Sequence, residues 1–484
     1  MRTVRTFMSA LALLFACVVY MFLPLETQDA GGALLSCTVI GIVLLDAFLR
    51  GYGPSPRHWH MSQWLVVAFV LSLFVSTLFS KNYTHALWGF SFDMTSALFL
   101  SFVFCLPLIV GTLPAATRRI LFISACLSLV LLVAFPLIRS EVYVRPSHEA
   151  TLGIESASYA ENGTRALLVG LGPNSFVYAW QMYKPAAVLT TPFWADDFPV
   201  GSSVVTTLTI ETGVISVLLL FLIYLSACAE ELWKSIAEQV PRGRKFFSSL
   251  SVALVLGSFV ALVYAEPSAP LVLVSGILLS SFRFQTEPRL LLSMWVRRAA
   301  IFLSVIFICV VVYIAVAIAF YFYAFSQVRA GNVPLARSTG EYSYQLYKNP
   351  QTARFLSQVF RSLGHELGRI HASKNTTQDA FHTASAYARA ATQYESQNGQ
   401  SWKLLGISLA EELSLQKNQI FSTEGKKAFD TAVKRIPNDP SILFFEAQLY
   451  ILAGDQVGAK NLLEKALLMK PDYVEASDLH EAIQ

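Results

Sequence analysis

One polar stretch of this 484-residue chain, 139–202, carries four cations: Arg139, Arg145, Arg165 and Lys184. Arginine holds phosphate or carboxylate through paired, planar hydrogen bonds, so the set suits an anionic ligand. It equally suits lipid headgroups, or pairing with Glu141, Glu149, Glu155 and Glu161. His148 is the stretch's only histidine and has the chemistry of a general base near neutral pH. Asp196 and Asp197 are able to take a proton or hold a cation, and paired loop acids are more often simply solvated. Glu211 lies inside an apolar run, "TLTIETGVIS", where a carboxylate is costly and marks a functional position by default. Its expected partner is one of the loop arginines. Midway, "GLGPNSF" (170–176) joins the freedom of Gly170 and Gly172 to the fixed φ of Pro173, followed by Asn174. Trp180, Tyr183, Phe193 and Trp194 predict short amphipathic helices lying at a membrane interface.

The elements that must position these residues are apolar. A mean hydropathy of +0.51 with 14% charged residues indicates a polytopic membrane protein. A net charge of +4, spread along the chain, does not describe a nucleic-acid surface. Nine apolar runs approach the ~20 residues a spanning helix needs: 7–24, 31–49, 64–80, 94–112, 119–138, 204–228, 246–265, 267–282 and 299–325. The first follows Arg2 and Arg5 and reads as a retained helix, because "FLPLETQDA" is a poor cleavage site. The eighth is short and contains Pro270, so it either crosses or re-enters.

Loop charge sets the orientation. Arg2, Arg5, Arg50, Arg57, Arg118, Arg119, Lys234, Arg242, Arg244, Lys245, Arg283, Arg289, Arg297 and Arg298 fall on one side. The short loops of the other side hold only Lys81. The N-terminus is therefore expected in the cytoplasm and loop 139–202 outside. With nine spans the C-terminal region is also outside, and it flips inward if 267–282 does not cross. All six cysteines lie in apolar runs, which leaves no disulfide framework and no cysteine metal site. No metal and no cofactor is expected.

After Phe325 the composition becomes polar with helical periodicity. Phe429, Ala432 and Pro437 recur 34 residues later as Leu463, Ala466 and Pro471. Tyr450, Gly454 and Ala459 stand where a helix-turn-helix repeat needs a packing residue, a turn and a small contact. The pattern resembles the tetratricopeptide repeat, with an earlier copy beginning at Trp402, Leu405 and Gly406 and a degenerate one at "AGNVPLA", 330–336. The expected fold is all-α: a membrane domain, 1–325, followed by a helical repeat domain, 326–484. Repeats of this kind either cap the membrane part or hold a protein partner.

"GLGPNSF" followed by "ETGVIS", with "STLFSKNYTHALWG" at 76–89, resembles the O-antigen ligase and polymerase-like membrane proteins that carry C-terminal tetratricopeptide repeats. The resemblance implies transfer of a glycan from an undecaprenyl-pyrophosphate carrier to an acceptor, on the outer face of a bacterial cytoplasmic membrane. It implies catalytic roles for Arg145, Arg165, His148 and Glu211. Arg139, Lys184, Gly170, Gly172, Pro173, Asn174, Trp194, Asp196 and Asp197 would contact the substrate. The partners so implied are the lipid-linked glycan, membrane lipid and a protein held by the repeats. Family ligases carry a His-Asn pair eleven and ten residues before the glycine matching Gly213, where this chain has Ser202 and Ser203. His148 would then supply the missing base. The alternative function is a non-catalytic membrane scaffold that displays the repeats.

Overall fold

The computed structural model describes residues 2–53, 61–91, 93–138, 144–237, 242–280, 290–416 and 419–483. Among the described residues the regular elements are helices, apart from β1 (Tyr52–Gly53) and β2 (Leu290–Leu291), two-residue strands paired antiparallel. The helices in chain order begin with α1 (Arg2–Phe22), α2 (Leu25–Leu49), α3 (Met61–Phe79), α4 (Tyr83–Trp88), α5 (Ala97–Val110) and α6 (Ala115–Ile138). Then come α7 (His148–Val169), α8 (Phe176–Tyr183), α9 (Val204–Ala237), α10 (Arg242–Tyr264), α11 (Ala269–Leu279) and α12 (Met294–Arg329). The remainder are α13 (Val333–Leu346), α14 (Pro350–Arg369), α15 (Lys374–Tyr394), α16 (Gly399–Gln416), α17 (Gln419–Arg435), α18 (Pro440–Leu452), α19 (Gln456–Met469) and α20 (Val474–Ala482).

The chain forms two compact units, Met1–Phe176 with Val200–Ala315, and Val177–Pro199 with Val316–Gln484. This differs from the expected boundary at 325/326 in two respects. The end of α12 belongs to the repeats, because Tyr321, Ala324 and Phe325 pack against Phe355 and Leu356 of α14. Residues 177–199 also leave the loop to pack with the repeats, through hydrogen bonds described below.

Among the described residues, five of the nine expected spans are helices long and apolar enough to cross a membrane: Thr27–Leu49, Met61–Phe79, Ala116–Ala134, Val204–Trp233 and Met294–Arg329, the last of which runs on into the second unit. Of the other four runs, those of α1 and α10 lie in helices of 21 and 23 residues, and those of α5 and α11 form helices of 14 and 11 residues. Two of these are shortened by their ends: α5 is bounded by its N-cap Ser96 and by Gly111, and α11 starts only after the extended Ser268. All eleven residues of α11 are buried, enclosed by α2, α5, α6 and α10.

The second unit is a stack of antiparallel helix pairs, α14–α15, α16–α17 and α18–α19, preceded by α12–α13 and closed by α20. Side chains at the entries explain the helix starts. Asn349, Ser373, Asp439 and Asp455 each accept a backbone N–H of the first turn, an N-cap contribution of ~1 kcal/mol apiece. The repeat positions read from the sequence are the packed ones: Phe429, Ala432, Ala459, Leu463 and Ala466 are all fully buried. Gly406 is glycine for contact reasons, since a Cβ there would lie 2.7 Å from the Phe429 ring. The turn into α13 at Gly331 (φ +74°) matches the turn into α19 at Gly454 (φ +86°), so "AGNVPLA" is the turn inside a helix pair whose first helix is α12, one helix later than the repeat start expected there. The fold of this unit is tetratricopeptide-like.

Candidate functional site

"GLGPNSF" and "ETG" are two halves of one structure. Helix α9 is broken at Gly213 (φ 76°, ψ 171°). The break removes the helical partners of the Ile210 and Glu211 carbonyls, which the backbone must replace if they are buried. The turn after α7 does so: Leu171 N–H donates to the Ile210 carbonyl at 3.0 Å, and Gly172 N–H to the Glu211 carbonyl at 2.8 Å. Two backbones must touch for this to happen. A Cβ on Gly170 (φ +80°) would lie 2.2 Å from the Glu211 carbonyl oxygen, and one on Gly213 would lie 2.4 Å from the Leu168 carbonyl. Both positions therefore require glycine for approach as well as for φ.

The "STLFSKNYTHALWG" segment closes the third side. Ser76 Oγ also donates to the Glu211 carbonyl at 3.0 Å. Asn174, held at φ +60°, donates through Nδ2 to the His85 carbonyl (3.3 Å) and to Asp93 Oδ2 (3.2 Å). Its Oδ1 accepts from Thr95 at 2.9 Å. Asp93 in turn accepts from the N–H groups of Phe90 and Ser91 at 2.8 and 3.1 Å. The Glu211 carboxylate is completely buried, and its Oε1 accepts the Phe176 N–H at 3.1 Å. Thr95 and the Asn174 backbone lie beside it, while Oε2 has no hydrogen bond of good geometry. The expected arginine partner is thus replaced by a backbone donor. Phe176 opens α8, so Glu211 acts as a tertiary N-cap, the preferred place for a carboxylate.

A second cluster forms where α7 and α9 begin. Arg145 Nη1 donates to the Ser202 carbonyl at 3.1 Å, and His148 Nδ1 lies 3.2 Å from Ser202 Oγ. Ser202 Oγ is also 3.1 Å from Thr206 Oγ1, and Ser202 N–H donates to Thr151 Oγ1 at 3.1 Å. Arg145 and His148 are exposed, so the cluster is open to solutes. Two turns along α7, burial raises the pKa of Glu155, opposed by its hydrogen bond with Tyr159 and by the nearby His148. The arrangement places a base within reach of a hydroxyl, with a guanidinium alongside for developing negative charge.

The remaining expected residues are elsewhere. Arg165 is exposed, its guanidinium 5.8 Å from the Phe79 ring centre, and Glu211 does not meet it. Gly172 and Pro173 are buried in the turn. Arg139 lies outside the described residues. Lys184, Trp194, Asp196 and Asp197 belong to the second unit. Lys184 is buried and donates to the Trp194 carbonyl; burial lowers its pKa against the pull of Asp439 and Asp197. Asp197 accepts from Gln181 at 2.7 Å, and burial raises its pKa. Asp196, exposed, accepts the Trp180 indole N–H through its carbonyl at 3.1 Å. Trp194 stands edge-on to Tyr473 at 5.5 Å with Lys470 Nζ 5.3 Å from its ring centre. Asp196, Asp197 and the Lys184 ammonium brace the segment internally, while the Trp194 ring and the Lys184 carbonyl, which accepts from Asn438, fasten it to the repeats. Among the described residues no group of three or more His, Cys, Asp or Glu is placed to hold a metal.

Sequence reading missed Asp93 and the participation of Ser202. Asp93 sits in an ordinary "FDMTS" loop, and only its bonds to Asn174 mark it out.

No protein-family model matches the chain, and no curated protein matches it. Among solved structures it is similar to one titled "Crystal structure of APC/C hetero-tetramer Cut9-Hcn1", with 12% identity and a TM-score of 0.28, covering 97% of this chain and 98% of that one.

Proposed function

We propose that this chain is a membrane-anchored scaffold whose tetratricopeptide-like array holds a protein partner. The observation that carries the reading is α12. One uninterrupted helix, Met294–Arg329, contains an apolar window long enough to span and then serves as the first helix of the repeat stack. A chain built this way displays a repeat surface directly from a membrane anchor. The first helices of successive pairs, α14, α16 and α18, pack on one another and line one face. Gln358 and Ser362 of α14 are exposed, next in sequence to Ser357 and Arg361, which meet α16. Stacked repeats of this type use such extended surfaces for protein binding. A photo-crosslinking residue at Gln358 or Ser362 of the full-length protein should give a discrete protein adduct in membranes. Adducts with lipid alone, or none, would sink the scaffold reading.

A second reading, glycan transfer from an undecaprenyl-pyrophosphate carrier, is favoured by one specific observation. His148 comes from 54 residues earlier in the chain to meet Ser202, the position where the resembled ligases carry histidine. In that reading His148 accepts the acceptor hydroxyl's proton, and Arg145 faces the leaving diphosphate. Replacing Arg145 and His148 together by alanine should abolish surface-glycan assembly while leaving insertion intact. An unchanged glycan profile in that variant excludes this reading and leaves the scaffold one standing.

A further inference from the structure

The second unit contains two stretches of chain separated by α9, α10 and α11, and their packing constrains how the chain crosses the membrane. Residues 177–199 run along the turns between successive repeats. Tyr178 donates to Glu395 at 2.6 Å, and Gln181 exchanges bonds with Asn398 and Gly399 at 3.1 and 3.0 Å. Asn438 donates to the Lys184 carbonyl at 2.8 Å, and Lys470 to the Leu189 carbonyl at 2.9 Å. Gln181, Lys184, Asn398 and Lys470 are all buried by this contact. Groups bonded in this way lie on one side of a bilayer, so the chain between Pro199 and Val333, the start of α13, crosses an even number of times.

Three of the helices in that interval, α9, α10 and α12, contain 34, 23 and 36 residues. The count is even with α9 and α12 alone, and if α10 crosses as well a fourth crossing is required, for which 265–280 is the segment between α10 and α12. We propose that this segment crosses as a half-extended element with α11 at the centre of the first unit, and that the repeats share a compartment with loop residues 144–203. The inference rests on the membrane anchoring proposed above and adds its sidedness.

The dimensions agree. Eleven helical residues rise ~16 Å, and the four non-helical residues 265–268 add at most ~13 Å at ~3.3 Å each. Together they reach about the ~30 Å of a hydrocarbon core. Non-helical backbone is tolerated at that depth only when enclosed by protein. Pro267 and Ser268 are buried, as is every residue of α11. Charge supplies an independent argument. Lys234, Arg242, Arg244 and Lys245 precede or open α10, and Arg283, Arg289, Arg297 and Arg298 follow α11. Both basic groups belong on the cytoplasmic side. They lie on one side when α10 and 265–280 both cross and would be parted if only one of them did, and α10 packs on the fully buried α11. The partner of the repeats is then an extracytoplasmic protein, in the compartment of the Arg145–His148–Ser202 cluster.

The test is cysteine labelling of the full-length protein with a membrane-impermeant maleimide on intact spheroplasts, after Cys309→Ser removes the exposed native thiol. Single cysteines replace Thr164, Thr423 and Ser293, all exposed, in the loop, in the repeats and just after the proposed crossing. Thr164→Cys and Thr423→Cys should label at equal rates, and Ser293→Cys only after permeabilisation. The proposal stands when Thr164 and Thr423 share one fate, Ser293 has the other, and a fourth single cysteine replacing Tyr264, exposed at the end of α10, labels with Thr164; any other pattern, Tyr264 labelling with Ser293 included, overturns it. Because labelling reads sidedness alone, its outcome is independent of whether crosslinking from Gln358 finds a protein.

Discussion

Gly170→Ala isolates the contact on which the candidate site is built. Two costs arise in this substitution. The first is backbone conformation: φ +80° with ψ −171° is a region used almost only by glycine, and a side chain there costs ~1–3 kcal/mol. The second is collision, because the new Cβ would lie 2.2 Å from the Glu211 carbonyl oxygen and 2.3 Å from its carbon. Backbone atoms cannot rotate aside as a side-chain tip does. The two backbones must separate, adding ~1–3 kcal/mol of overpacking and loosening the buried Leu171 and Gly172 hydrogen bonds, each worth ~1 kcal/mol. The same unit provides a control in Gly163, with φ 68° and ψ −163° but nothing within 4 Å of an added Cβ. Gly163→Ala should therefore lose only ~1–3 kcal/mol, and Gly170→Ala roughly 3–7 kcal/mol. Thermal unfolding of the detergent-solubilised protein, followed by tryptophan fluorescence, compares the two. Equal losses of thermal stability would refute the close-approach argument.

Two further predictions concern the repeats. Glu446 is 5% exposed, and burial together with Asp430 pushes its pKa up to about 7 from 4.5. A raised folded pKa favours the neutral acid, so its contribution is complete below pH 4.5 and is lost as pH rises through about 7. Glu446→Gln should leave stability at pH 4 nearly unchanged and raise it by roughly 1–3 kcal/mol at pH 8, allowing for screening near Lys426. Parallel shifts at both pH values would contradict this. Arg354 and Glu395 form a salt bridge at 2.6 Å, with the Glu395 side chain 4% exposed. Arg354→Met should cost ~3–5 kcal/mol by stranding the carboxylate, and adding Glu395→Leu should recover most of that. Chemical denaturation of both variants measures the recovery, and a double variant no better than the single one would exclude stranded charge as the cause.

The periodic features were legible in the sequence because they depend on near neighbours. The 34-residue recurrence of Phe429 and Ala432 located packed positions, and that of Pro437 an exposed turn, since helix pairs repeat both their contacts and their breaks. Apolar runs located the membrane-type helices, five of which are, among the described residues, long and apolar enough to span. "GLGPNSF" read correctly as a tight turn, because Gly170 and Gly172 permit what few residues can. The function of that turn was not legible: it supplies donors to carbonyls freed 40 residues away by Gly213.

Residue type alone also misassigned partners. A carboxylate inside an apolar run suggests an arginine, yet Glu211 caps the Phe176 N–H, an interaction that leaves no side-chain signature. Lys184 and Trp194 look like ligand contacts in a loop, and tertiary packing uses them to fasten 177–199 to the repeats. By itself, the sequence determined an all-helical chain with apolar helices, a repeat array and a glycine turn, because local composition and spacing dictate those. Only the tertiary structure decided that His148 meets Ser202 and that the repeats begin within α12. Those outcomes depend on contacts between residues distant in sequence, which spacing along one chain does not encode.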